Sequence, residues 1–223
     1  MGLRFDSFTL AAATADLGDE PVAREHADCV EFRMDLAERP LDALAAYDGE
    51  LPLIATNRAA WEGGGAGEEG RLDALAEAAR HDAVGAVDVE LESLRRGEAN
   101  PLLDAARDRE VRVIASVHDF EGTPSTMEMR ELLSEALAHG DVGKLAVTAG
   151  GRADVLSLLS VTHDLSGEGP IATMAMGEAG RHSRAVAPLY GSVIGYAPVR
   201  SEEATAPGQF DLATLAELID RLR

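Results

Sequence analysis

A closed (β/α)8 barrel of the TIM type, forming a single domain over residues 1–223, is the fold this sequence predicts. Eight short apolar, β-branched or alternating runs punctuate the chain, and stretches with helical periodicity separate them. Strand and helix alternating at that pace imply parallel strands joined by helical crossovers. The structural alternative is an open doubly wound sheet. The count of eight, and the lack of a Gly-x-Gly-x-x-Gly turn after the first run, argue against it.

The runs fall at 8–13, 29–35, 53–58, 86–91, 111–118, 142–148, 171–176 and 193–199. After the third, Leu72, Leu75, Ala76 and Ala79 recur at the spacing of one helix face. After the fifth, Thr123-Pro124 reads as an N-cap followed by proline at the first helical position. Met129, Leu132, Leu133 and Leu137 then form an apolar stripe. Val155, Leu158, Leu159 and Thr162 mark the next helix, and Leu212, Leu215, Ile219 and Leu222 the last. The chain is shorter than the usual ~250 residues of such barrels, so trimmed outer helices are expected. A glycine-rich stretch at 61–70 reads as a flexible loop after the third strand, and 200–208 as a polar loop after the eighth. Both belong at the C-terminal face of the barrel, where such folds keep their sites.

Composition narrows the partners. Forty acidic residues against 20 basic ones give a net charge of -20, which opposes binding to nucleic acid or anionic membrane. The acids are spread along the chain, so they describe a solvated surface. That surface suits concentrated salt, where screening shortens to about 3 Å at 1 M; a GC-rich codon bias is the competing explanation for the arginine, alanine and glycine. With 4% aromatics, the 46% hydrophobic content must fill the core through alanine and aliphatic side chains. Cys29 is the only cysteine, which excludes an internal disulfide and a cysteine-based metal site. There is no signal-like start and no run approaching the ~18 residues of a membrane span. A soluble, cytoplasmic protein is expected.

Lys144 is the only lysine; nineteen arginines carry the remaining positive charge. It lies inside an apolar, β-leaning run. Arginine cannot serve as an amine nucleophile, whereas lysine can. Other polar residues cluster at strand ends. Glu31, Arg33 and Asp35 alternate along the second strand and so share one face. Three charges there are costly unless they pair or bind something, and a structural Arg–carboxylate pair is one solution. Arg58 ends the third strand, with Glu62 four residues on. Asp88 and Glu90 share a face of the fourth. The fifth ends in His118, whose proximity to a candidate imine-forming lysine makes it a candidate general acid/base. Arg184 follows a Gly/Ser-rich turn after the seventh strand, a place suited to an anion. Thr205 and Gln209 lie in the last loop. This set, without a His pair at metal spacing or a Walker loop, suits a small anionic, polyhydroxylated carbonyl compound handled through an imine.

The constellation resembles the type I 3-dehydroquinate dehydratases of the shikimate pathway. The motifs that carry the resemblance are Glu31-Phe32-Arg33-Met34-Asp35, Arg58-Ala59-Ala60-Trp61-Glu62-Gly63-Gly64, Ser116-Val117-His118-Asp119-Phe120, Gly143-Lys144-Leu145-Ala146, Ser183-Arg184 and Thr205-Ala206-Pro207-Gly208-Gln209. They stand in family order over nearly the whole chain. The resemblance implies a barrel, usually a homodimer, with 3-dehydroquinate as substrate and no metal or cofactor. It implies that Lys144 attacks the ketone, that His118 moves the proton, and that Glu62 orients His118. Glu31, Arg33 and Arg58 would line the diol end of the substrate. Arg184 and Gln209 would grip its carboxylate, with Thr205 beside them. Thr205 stands where the family usually has serine. The first strand has no serine to offer the pocket, and Thr14 is its nearest hydroxyl. Two other readings remain open from the residues: a class I aldolase or transaldolase, which would need a phosphate grip, and a non-catalytic ligand-binding barrel.

Overall fold

A computed structural model describes residues 2–203, 206 and 208–223. Eight strands form one sheet: β1 (Thr9–Thr14), β2 (Cys29–Arg33), β3 (Leu53–Thr56), β4 (Val84–Glu90), β5 (Arg112–Asp119), β6 (Val142–Thr148), β7 (Ile171–Met176) and β8 (Ile194–Pro198). The helices are α1 (Glu20–Ala23), α2 (Pro40–Ala45), α3 (Arg71–Ala78), α4 (Leu91–Arg95), α5 (Asn100–Asp108), α6 (Thr126–His139), α7 (Arg152–Leu165), α8 (Gly177–Gly180), α9 (Ser183–Val186) and α10 (Leu212–Leu222). Strands pair in parallel in the order β7-β6-β5-β4-β3-β2-β1-β8. The ends of that order meet at Ile171 and Ser192 through a single bridge, so the predicted (β/α)8 barrel is nearly closed. The crossovers after β1, β2 and β7 are the trimmed ones, with no α-helix longer than 6 residues.

Alternation along the strands sorts side chains into two cores. Ala11, Cys29, Ile54, Ala86, Ile114, Val142, Ala172 and Ile194 point inward and fill the barrel's lower half, and Leu3 and Phe5 join them from the N-terminal segment. Outward residues such as Val30, Phe32, Val87 and Val89 meet the helices. Burial is complete on both faces of β4, as a parallel sheet with helices outside requires.

Local chemistry corrects several expected boundaries. β6 and β7 match the sequence reading. β2 ends at Arg33, and Asp35 lies in a 3-10 turn rather than on the strand face. There it takes a two-pronged bond from Arg33, at 2.9 and 2.7 Å. β3 stops at Thr56, two residues before Arg58. Ser125, not Thr123, caps α6: its hydroxyl accepts from the Glu128 amide while Glu128 bonds back to the Ser125 amide. The Thr123 hydroxyl instead donates to Thr148 O. Leu222, expected on the buried face of α10, is 46% exposed.

The loop at 61–70 is pinned, not loose. Ala60 N donates to Ala66 O, Ala66 N to Arg58 O, and Gly65 N to Asp35. A Cβ at Gly64 would overlap the Arg58 carbonyl, so this glycine is there for close backbone approach.

The charge of -20 predicts salt-dependent stability. Dilution from 2 M to 0.1 M KCl lengthens the screening distance several-fold. The melting temperature should then drop by about 5 °C or more, equivalent to about 2 kcal/mol for a chain this size. An unchanged melting temperature in dilute buffer would assign the composition to codon usage instead.

Candidate active site

Above the apolar filling, the inward positions turn polar. In register, Ser116 lies beside Lys144, and His118 lies two residues further along the same face of β5. Glu31, Arg33, Thr56, Arg58, Glu62, His118, Lys144, Arg184, Tyr196 and Gln209 line one pocket at the C-terminal ends of the strands. Its empty space is about 520 Å³, part of it open to solvent. The structure thus brings together every expected site residue except Thr205, which lies outside the described residues. Thr14 does not line the pocket; its hydroxyl donates to Asp19 at 2.9 Å and helps shape a turn.

Lys144 is 4% exposed. Its Nζ donates to Asp88 Oδ2 at 2.7 Å and lies 3.9 Å from Glu31. It also sits over the Tyr196 ring, 4.2 Å from the centroid, where the π face favours a cation. Asp88 is the residue that sequence reasoning left without a role. Besides Lys144, it accepts from Arg58 and from Ser116, both at 2.6 Å. Burial alone would raise its pKa, but the charges of Arg58 and Lys144 prevail and hold it far below the usual carboxylate range.

Arg58 is a hub. It donates to Asp88, Glu90, Glu62 and Ser116. Burial disfavours its charge, yet the surrounding carboxylates raise its pKa above that of an ordinary arginine. Glu90 in turn accepts from Arg71 at 2.6 Å. Alternation placed Asp88 and Glu90 on the inner face, which was the available signal. Arg71 carried none, because it reaches Glu90 from the first turn of α3.

His118 is held through Glu62. The His118 amide donates to Glu62 Oε1 at 3.2 Å, and its Nδ1 lies 3.4 Å from Oε2. Burial, then the Arg58 and Lys144 charges, push the imidazole pKa well below its ordinary value. That direction favours the unprotonated imidazole at neutral pH. Burial raises Glu62 to about 7 against the opposing pull of Arg58.

Arg184 differs from the other pocket cations. It is 5% exposed, and among the described residues no carboxylate pairs with it; its Nε has no partner at all. Burial lowers its pKa to about 10. A buried, uncompensated guanidinium is costly, and an anion from outside would relieve that cost. Arg184 lies in the first turn of α9, a helix of four residues, and the group this turn presents to the pocket is the guanidinium itself. Gln209 faces the same pocket, and its Oε1 accepts from the Ala206 amide at 3.1 Å. Among the described residues, no group of three or more His, Cys, Asp or Glu could hold a metal ion. No described helix is long and apolar enough to cross a membrane.

A family model described as type I 3-dehydroquinase matches residues 9–222. The 3-dehydroquinate dehydratase of Haloarcula marismortui is 57% identical over 224 residues, covering 98% of this chain and 98% of that protein. That of Halobacterium salinarum is 55% identical over 226 residues, covering 99% and 100%. The crystal structure of 3-dehydroquinate dehydratase from Geobacillus kaustophilus is similar with a TM-score of 0.84 at 27% identity, covering 97% of this chain and 91% of that one. The chain is a lyase and belongs to the type I 3-dehydroquinase family.

Proposed function

We propose that this protein eliminates water from 3-dehydroquinate to give 3-dehydroshikimate through an imine on Lys144. The observation that carries the reading is the placement of the sole lysine. Its amine is buried at the barrel mouth, beside a histidine whose pKa is pushed well down and in one pocket with an arginine that no carboxylate pairs among the described residues. Arg184, with Gln209 near it, receives the substrate carboxylate. Glu31, Arg33 and Arg58 face the diol.

The chemistry follows from these positions. The Lys144 ammonium gives up a proton, its amine attacks the C3 carbonyl, a C–N bond forms, and the carbonyl oxygen leaves as water with that proton and a second from the nitrogen, giving an iminium. Asp88 is too weak a base to take the lysine proton, since Arg58 and Lys144 hold it ionised. Its part is to keep a negative charge beside the nitrogen as the iminium forms. His118 is the group able to exchange protons. It removes one from C2, the C–H electrons flow toward the iminium, and the C1 hydroxyl departs as water with the proton from His118. Hydrolysis of the iminium then frees the product and the amine. Glu62 orients the imidazole and balances its charge while it is protonated. Aromatic amino acid biosynthesis in the cytoplasm, by a homodimer, is the setting this reading implies. An aldolase acting on a sugar phosphate is less well served, since a dianion would meet one unpaired arginine.

Trapping tests the proposal. Borohydride added with 3-dehydroquinate in molar salt should leave a single reduced adduct on the peptide containing Lys144, the only side-chain amine in the chain. A folded protein that turns over the substrate without forming that adduct would rule the imine out.

A further inference from the structure

The barrel has one imperfect seam, and its chemistry is specific. Every other neighbouring pair of strands is joined by a ladder of at least four registered residues. β7 and β8 meet only at the lower end, where Val193 N donates to Ile171 O at 2.8 Å. Higher up, the β7 peptide groups that face β8 are not left bare, as a buried strand edge could not be. They are taken by two buried serine hydroxyls. Thr173 N donates to Ser192 Oγ at 3.0 Å. Ala175 N donates to Ser183 Oγ at 2.9 Å, and the Ser183 hydroxyl lies 3.4 Å from Ala175 O as a donor. Ser192 has both Thr173 O and Ile194 O within donor reach, at 3.5 and 3.4 Å, and so bridges the two strands.

Direct pairing would bring β7 and β8 to about 4.8 Å along this edge and leave no room between them for a side chain. Arg184 lies at this opening. This residue lines the pocket together with Lys144 and also lines a small cavity at the seam with Thr173, Ser192, Gly195 and Tyr196. Ser183 is its immediate neighbour on α9. A Cβ at Gly180 would overlap the Ala175 carbonyl, so α8 and α9 lie tight against this edge.

We propose that Ser183 and Ser192 are positioning residues that hold the β7–β8 seam open by satisfying its peptide groups, and so let Arg184 present its guanidinium to the carboxylate of the ligand. The inference rests on the functional reading above for the identity of that carboxylate. Without Ser183, the Ala175 amide must find another acceptor, and the seam closes or shifts against the Arg184 stem. The consequence falls on anion binding, because neither serine lines the pocket that holds Lys144 and His118.

The test compares the parent with Ser183→Ala, Ser192→Ala, Arg184→Met and the Ser183→Ala/Arg184→Met double variant, each checked for a cooperative melt. Each serine variant should raise KM for 3-dehydroquinate about 5- to 30-fold, the scale of a weakened charged hydrogen bond, with kcat within about twofold. In the Arg184→Met background the Ser183→Ala change should add less than about twofold, since the two act through one interaction. Ser183→Thr, which keeps the hydroxyl, should stay close to parent and serves if the alanine variant does not fold. An unchanged KM in a folded serine variant, or a full increase that persists in the Arg184→Met background, would overturn the proposal. The same cycle read as Kd for quinate, a carboxylate without the ketone, separates the two readings. Parent protein that binds quinate with the predicted coupling but does not turn over 3-dehydroquinate would remove the reaction and keep the seam inference. Failure of quinate to bind the parent would remove the seam inference.

Discussion

Lys144→Arg should lower turnover of 3-dehydroquinate by about 10⁴-fold or more while the protein stays folded. The substitution keeps a cation beside Asp88, which in the parent accepts from Lys144 at 2.7 Å. It therefore preserves the ion pair and removes only the capacity to form an imine, because a guanidinium stays protonated. The comparison is informative because the site's electrostatics depend on that cation. Asp88 is shared between Arg58, Ser116 and Lys144, and a variant lacking charge at position 144 would disturb all of them. Initial rates followed by the absorbance of the conjugated product, with a melt in the same salt, provide the check. Retention of more than about 1% of parental kcat would remove Lys144 as nucleophile.

His118→Ala should lower kcat by about 10²–10⁴-fold, the usual contribution of a positioned acid/base, while the borohydride adduct on Lys144 still forms. Loss of the adduct together with the rate would place His118 in imine formation alone. The pH profile gives a second view. Glu62 is raised to about 7 by burial, so below that pH it is neutral and cannot balance a protonated His118. kcat/KM should fall as the pH drops through about 7. His118 itself does not set that limb, since its pKa lies well below the ordinary imidazole value. Glu62→Gln fixes the neutral form, so it should be slow throughout and should lose the limb near 7. A limb that survives in Glu62→Gln would belong to another group.

The rhythm of strands was legible because apolar runs and helical stripes are local properties. β6 and β7 begin and end where their runs do. The inner faces were legible as well, since alternation puts Glu31 and Arg33, or Asp88 and Glu90, on one side of a strand. Partner choice was not legible. Nothing in the spacing says that Asp88 meets Lys144, or that Arg58 bonds to Glu90 as well as Glu62, because those pairs form between strands 30 or more residues apart. Asp35 shows the limit of alternation: the strand ends before reaching it, and its carboxylate turns back to Arg33. The Ser125 cap was hidden by the more conspicuous Thr123-Pro124 pair. The serines of the β7–β8 seam look in sequence like ordinary loop residues, because a missing ladder leaves no periodic mark.

Of the cations that line the pocket, Arg33, Arg58 and Lys144 are each committed to a carboxylate of the protein, and among the described residues Arg184 is not. On the proposed reading, a ligand with one negative group and one carbonyl has a single way to lie: charge toward Arg184, carbonyl toward Lys144. His118 then touches it from a third, fixed direction. Three unlike contacts on a chiral frame distinguish the two hydrogens of a methylene group that are otherwise chemically equivalent. A substrate deuterated at one of those two positions should keep or lose its label completely, and the choice should be the same at every turnover.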